Sequence, residues 1–458
     1  MQNMEMRSKI RRKGHKEFIM ERIGSTPADD NGCAWFHLSP NRLPKPSFSG
    51  RIEADWVIVG AGFTGLSAAR QLALNFPNDH IVLVEAQEVG YGASGRNSGF
   101  MIDLPHDIGA ADYIGDIKTA GMHLKLNLAA QNIIKKLVTD FKINCQLEPA
   151  GKYQAAIEKR GLAVLEAYKS GLEKLGQNCE IIDEQDIPAH LGTHFYKKAL
   201  YTPGTLLVQP AAVVKGLADN LPSNVTLYEY TAITAVEYGK KIHLQTNQGS
   251  IIANKLILTN NAFASQFGFL KGRLLPIFTY ASMTRVLTED EQQALGGKKT
   301  WGIIPADPFG STLRRTPDNR LLVRNSFSFN TDGRSKSHLL PRVAQRQRRS
   351  FENRFPMLPK VDFEYTWGGS MCLSRNHESF FGELAPNVYG ALCWNGLGTT
   401  KGTIAGKLLA DWLAGERNEL IDFLISSPGP NANPPQPFLS LGVNLNLAMG
   451  QCRAGKES

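Results

Sequence analysis

The sequence predicts an α/β fold in which a Rossmann-like dinucleotide-binding domain alternates along the chain with a second, strand-rich domain. Three observations predict it. The apolar run Trp56 to Val59 leads into Gly60, Gly62 and Gly65 with G-x-G-x-x-G spacing, and then into a helix-forming run from Leu66 to Asn75. A second apolar run, Ile81 to Val84, ends on Glu85, twenty residues beyond Gly65. From Leu274 to Trp367 short strand-like runs are punctuated by turn residues, as at Pro317-Asp318-Asn319. At 458 residues the chain exceeds one ordinary hydrophobic core, so two domains are expected.

Each residue of the first motif has a physical task. Gly60 permits the tight turn, Gly62 allows a pyrophosphate to approach the main chain, and Gly65 lets the following helix lie close on its strand. The helix directs its N-terminal amides and positive dipole end at the phosphates. Glu85 stands where a carboxylate accepts hydrogen bonds from ribose hydroxyls, and it repels a 2′-phosphate. The segment Gly92-Ala93-Ser94-Gly95-Arg96-Asn97-Ser98-Gly99 adds backbone freedom, a hydroxyl, an amide and a guanidinium, suited to wrapping a pyrophosphate and reaching an isoalloxazine edge.

VIVGAGFTGLSAA, the strand-end Glu85 and GASGRNSGF together resemble the FAD-binding N-terminus of the D-amino acid oxidase, glycine oxidase and sarcosine oxidase superfamily, and within it the γ-glutamylputrescine oxidase-like branch. The resemblance implies an FAD-binding domain of the glutathione reductase type. It also implies an interleaved α+β substrate domain on a mixed, largely antiparallel sheet. The expected division is an irregular leader over 1–50, the FAD-binding domain in 51–110, 200–270 and 375–425, the substrate domain in 111–199 and 271–374, and a tail over 426–458.

In order, the leader carries prolines and the anchor candidates Trp35 and Phe36. An amphipathic helix is expected over about Tyr113 to Phe141, a strand at Gly151 to Ile157 and a second helix over about Glu158 to Leu175. Residues 201–265 return to cofactor-domain character, with a helix over Ala211 to Asn220 and strand patterns at Val225 to Val236 and from Lys255. By resemblance Ile233 offers main-chain groups to the adenine, and the last strand closes on the adenosine side at Asn260-Asn261, where the family usually has a glycine or one asparagine. Arg314, Arg315 and Arg324 fall on a hairpin that the family turns toward the flavin ring; which of them point inward depends on register. Residues 365–382 match the linker that re-enters the cofactor domain, with Ser374-Arg375-Asn376 in place of the usual Thr-Pro-Asp. Arg375 is then either a guanidinium for a substrate carboxylate or a surface-loop arginine. The last signature, Tyr389 to Gly402 followed by a helix over Ile404 to Leu413, is a strand, a glycine turn and a helix N-terminus that the family places under the flavin pyrimidine edge. The tail turns apolar from Phe438 to Met449 and docks on the body or on a partner.

The cofactor set is therefore Gly60, Gly62, Phe63, Thr64, Gly65, Glu85, Ala86, Gly92, Ala93, Ser94, Arg96, Asn97, Ser98, Gly99, Ile233, Asn261, Gly396, Leu397, Gly398, Thr399, Thr400 and Lys401. Arg314, Arg375 and His377 are the catalytic candidates, and with Arg96 they favour a substrate bearing a carboxylate. The family's covalent cysteine falls nearer Gly369 than Cys372, so non-covalent FAD is expected.

Composition narrows the alternatives. Six cysteines without a C-x-x-C pair, and scattered histidines, read as reduced thiols with no metal site. No window approaches eighteen apolar residues, and the basic N-terminus has no apolar run behind it, so a cytoplasmic protein without a transmembrane segment is expected. The net charge of +9 clusters at Arg7 to Lys16 and at Arg342 to Arg354. The second cluster reads as a solvated helix face, the first as a weak membrane or partner tether, and no nucleic-acid platform accompanies either. The implied activity is oxidation of an amine or amino acid to an imine by hydride transfer to flavin N5, with imine hydrolysis and reoxidation by O2. A dehydrogenase passing electrons to a quinone or an electron-transfer protein is the first alternative, and a non-catalytic FAD-binding protein the second.

Overall fold

The computed structural model describes residues 20–107 and 109–458; the basic cluster at Arg7 to Lys16 lies outside them. Strand Gly50–Val59 is the centre of a nine-stranded sheet. It runs parallel to Ile81–Val84 on one side and to Gly249–Leu258 on the other. Val225–Tyr228 and Val388–Leu392 extend the parallel part. All four residues of Ile81–Val84 are buried, as a parallel strand covered on both faces requires. Helices Phe63–Asn75, Pro210–Asp219 and Thr403–Leu413 close one face, in a core that includes Leu66, Leu72, Val213, Leu408 and Leu409.

Helix Ile117–Asp140, which the sequence places in the substrate domain, buries Leu126, Ala130, Ile134 and Val138 in that same core. Gln131 ties it down by donating to the Met101 carbonyl at 2.7 Å. The described part of the leader, residues 20–50, holds regular elements where its prolines suggest none. Met20–Arg22 pairs antiparallel with Ile233–Glu237, because that edge strand leaves its outer hydrogen-bonding groups open. Helix Ala34–Leu38 buries Trp35 as an anchor.

The second sheet has eight strands, in the order Phe363–Leu373, Leu275–Thr284, Leu321–Phe329, Thr312–Arg315, Trp301–Pro305, Lys152–Ala156, Lys198–Thr202 and Glu180–Asp183. Trp301–Pro305 and Lys152–Ala156 are its one parallel pair, so the sheet is mixed and largely antiparallel. Arg315 and Leu321 pair across the Pro317-Asp318-Asn319 turn. The expected strand from Val225 to Val236 is broken after Tyr228, where Glu229 turns inward to accept from Val89 N and the Arg42 guanidinium. Helix Leu340–Arg354 presents Arg342, Arg346 and Arg349 to solvent, and helix Phe438–Arg453 closes the chain against Phe309. Among the described residues no helix is long and apolar enough to cross a membrane.

Candidate functional site

Between the two sheets lies a cavity of about 920 Å³, within the size range of small-molecule and cofactor sites. The glycine turn forms one end. Gly60, at φ +101°, donates to the Val84 carbonyl at 2.8 Å and brings the first two strands level. A Cβ at Gly65 would overlap the Gly60 carbonyl oxygen, and one at Gly62 would lie 2.6 Å from Ser94 Oγ. Ser94 Oγ accepts from Phe63 N at 3.2 Å, which joins this turn to the 92–99 segment. Glu85 accepts from Ala61 N at 2.9 Å and from Gln87 N at 3.1 Å; burial raises its carboxyl above the ordinary range, and these amides hold it back.

Arg96 lines the cavity but is not free to meet an anion. Its guanidinium donates to the Tyr91, Gly368 and Asp30 carbonyls and pairs with the carboxylates of Asp29 (3.3 Å) and Asp30 (3.2 Å), both from the leader. Burial pushes Asp29 up to about 6 against the pull of Arg96. The leader thus straps the 92–99 segment in place, a long-range pairing that no local pattern announces.

A second glycine turn lines the cavity and packs against the first. Gly396, Leu397, Gly398 and Thr399 are its lining residues, and Gly398–Gly402 is a π-helical turn, a feature often found at functional sites. Trp394 Nε1 donates to Thr64 Oγ1 at 3.1 Å and ties this turn to the first. The sheet wall is formed by Ile277, Thr279, Thr312, Arg324 and Met371. Arg324 donates to two neutral hydroxyls, Thr279 Oγ1 at 3.1 Å and Thr312 Oγ1 at 3.4 Å, and no described carboxylate pairs with it. Burial pushes it down to about 10. His106, stacked on Tyr113 with ring centroids 4.6 Å apart, also lines the cavity; burial, then the nearby cations Lys152, Lys401 and Arg324, push it down to about 3, so the imidazole is neutral. Among the described residues Asp29 and Glu85 are the only lining carboxylates, and both flank the first glycine turn and the 92–99 segment.

The family model described as FAD dependent oxidoreductase matches residues 55–412. The chain belongs to the FAD dependent oxidoreductase family. It is 28% identical over 423 residues to gamma-glutamylputrescine oxidoreductase of Escherichia coli, covering 90% of this chain and 97% of that protein. In fold it is similar to glycine oxidase from Geobacillus kaustophilus (TM-score 0.67, 17% identity, 84% of this chain and 100% of that one). It is likewise similar to L-proline dehydrogenase from P. horikoshii (TM-score 0.64, 15% identity, 83% and 97%).

The residues present fit the family's FAD. Beside the close-packed glycines and the Glu85 carboxylate, both side-chain polar atoms of half-buried Asn260 are enclosed without a protein partner where the residue lines the cavity. Most of the expected cofactor set lies in the cavity wall: Gly60, Gly62, Phe63, Thr64, Glu85, Ala86, Gly92, Ala93, Ser94, Arg96, Asn97, Ser98, Ile233, Asn261 and Gly396 to Thr399. Four do not. Gly65 and Gly99 act by close packing one layer behind, and Thr400 and Lys401 turn away into the π-helical turn. Asn261 lines the wall, but its amide oxygen accepts from Cys393 N at 3.2 Å; the unpartnered amide is that of its neighbour Asn260.

Arg314 corrects the catalytic set. It shares a sheet face with Arg324, since Thr312 pairs with Arg324 and Arg314 with Leu322, but it lies two residues further along, outside the cavity lining. There it is fully buried over the Trp35 ring, and its Nη1 donates to the carbonyls of Ser98, Gly99 and Val208. Arg314 therefore supports the cofactor loop from beneath, Arg315 donates to the Gly296 and Lys298 carbonyls outside the cavity lining, and of the three hairpin arginines Arg324 faces the cavity. Arg375 and His377 are exposed at the cavity rim, on a loop pinned by Asn395, which accepts from Ser374 N and donates to the His377 carbonyl. Gly369, where the family's covalent cysteine is expected, lines the cavity without a thiol.

Proposed function

We propose that this member of the family oxidises the C–N bond of an amine or amino acid that carries a carboxylate. The observation that carries the reading is Arg324, a half-buried guanidinium of the cavity wall whose protein partners are two neutral hydroxyls. A desolvated cation without a counter-charge is costly, and a substrate carboxylate gripped by two parallel N–H bonds supplies it. The name of the E. coli relative, and those of glycine oxidase and L-proline dehydrogenase, are consistent with C–N substrates.

FAD, held without a covalent bond, would supply a two-electron acceptor for the hydride leaving the carbon beside nitrogen, with O2 as the final acceptor. The protein's own part is positioning and electrostatics. Arg324 fixes one end of the substrate against the sheet wall. Among the described residues the lining carboxylates are Asp29 and Glu85, beside the first glycine turn, so no carboxylate next to Arg324 holds a substrate ammonium, which favours the amine with its nitrogen lone pair free, as imine formation needs. The wall around Ile277 and Met371 limits water until the imine leaves for hydrolysis to a carbonyl compound and an amine or ammonia. Arg375 and His377, at the rim, assist entry of an anionic substrate rather than the chemical step.

Anaerobic bleaching of the flavin band by a panel of amino acids, N-substituted amino acids and amines without a carboxylate tests this. Carboxylate-bearing compounds are expected to reduce the flavin fastest; equal rates for carboxylate-free amines overturn the reading. Oxygen uptake matched by peroxide release tests the acceptor.

A further inference from the structure

Helix Phe438–Arg453 has two unlike faces. Val443 and Leu447 turn inward and line the cavity, and Gly450 lies so close on Phe309 that a Cβ would overlap the ring. The outer face carries Phe438, Leu441, Leu445 and Met449, which are 67%, 66%, 62% and 40% exposed. Spacings of three and four residues keep them on one side of the helix, and exposed Ala448 and Cys452 continue the stripe. Scattered apolar side chains need no explanation, whereas a continuous exposed stripe marks a contact surface.

A row of cations runs beside it. Arg342, Arg346 and Arg349 of helix Leu340–Arg354 face solvent, and the ion pairs found on that helix belong to Arg348 instead. Arg346 Nη1 donates to Gln451 Oε1 at 2.6 Å, which joins the arginine row to the apolar helix. Arg453 and Lys456 are exposed at the end of the stripe.

We propose that this combined face docks on the surface of an anionic lipid bilayer. Phe438, Leu441, Leu445 and Met449 enter the boundary between headgroups and acyl chains, and the arginine row meets the lipid phosphates. Charge selects this occupant over a second copy of the chain. An isologous pairing repeats the same patch on both copies and so places two uncompensated arginine rows at one seam. Insertion of a single helix face needs only the stripe and the cations flanking it. The bilayer then lies against the outer side of a helix whose inner side is a wall of the cavity.

Flotation of the full FAD-loaded chain with vesicles of phosphatidylcholine and phosphatidylglycerol, and with vesicles of phosphatidylcholine alone, tests the proposal. Partition onto the mixed vesicles and little onto the neutral ones is expected. Replacing Arg342, Arg346 and Arg349 by Gln weakens partition about fivefold per arginine, on the order of a hundredfold for all three. Leu441→Asp with Leu445→Asp abolishes it, with flavin content as the control for folding; the arginine variant decides the matter if that pair does not fold. The proposal is overturned if the leucine pair binds mixed vesicles as tightly as the unsubstituted chain, since the basic residues Arg7 to Lys16 then account for binding. It is equally overturned if the unsubstituted chain sediments as a dimer that the leucine pair splits.

Discussion

Replacing Arg324 by Met separates carboxylate recognition from everything else the cavity does. In the protein without substrate, Arg324 has two long hydrogen bonds to threonine hydroxyls and no ion pair, and its burial disfavours the charged form. Met fills a similar volume and removes that desolvation cost, so the melting temperature is expected to hold or rise slightly. With substrate bound, the substitution removes two charge-assisted hydrogen bonds, each worth about 1.5–3 kcal/mol. The sum of about 3–6 kcal/mol corresponds to a loss of roughly two to four orders of magnitude in kcat/KM for carboxylate-bearing substrates. Arg324→Lys keeps the charge and loses the fork, so it recovers part of the deficit. The assay is flavin reduction under anaerobic conditions against substrate concentration, read beside the same measurement for an amine without a carboxylate. A loss of equal size for both substrates would refute the argument, because Arg324 would then shape the cavity rather than grip an anion. A sharp fall in melting temperature would refute it too, since the residue would then be structural.

Other substitutions probe the cofactor end and the charges around it. Gly65→Ala drives a Cβ into the Gly60 carbonyl and should yield protein without flavin or no soluble protein, seen in the absorbance ratio of the purified material. Asp30→Asn breaks a buried pair with Arg96 and should lower thermal stability by about 3–5 kcal/mol and FAD retention with it; unchanged flavin content after gel filtration would show that the leader is not a strap. Burial depresses Lys401 from 10.5 to about 8, so over that window the unfolded chain binds more protons and stability rises with pH. Lys401→Met should raise stability at neutral pH and flatten the rise, a pair of changes that denaturant titration at several pH values reads directly.

What the sequence determined by itself was whatever depends on short range. Strand, glycine turn, helix and acidic strand end follow one another within 56–85, and sterics demand glycine at 60, 62 and 65, so the dinucleotide fold and the family were legible without coordinates. The alternation and turn chemistry of 274–367 likewise announced the second sheet. Only the tertiary structure decided which guanidinium faces the cavity. Arg314 and Arg324 share a sheet face, and position along the strands beneath the 98–99 turn and Val208, not periodicity, separates them. The same holds for Arg96, paired with the Asp30 carboxylate 66 residues upstream, and for helix Ile117–Asp140, which crosses into the first core. Pairings of that kind depend on where distant segments meet, and a local pattern of side chains carries no record of it.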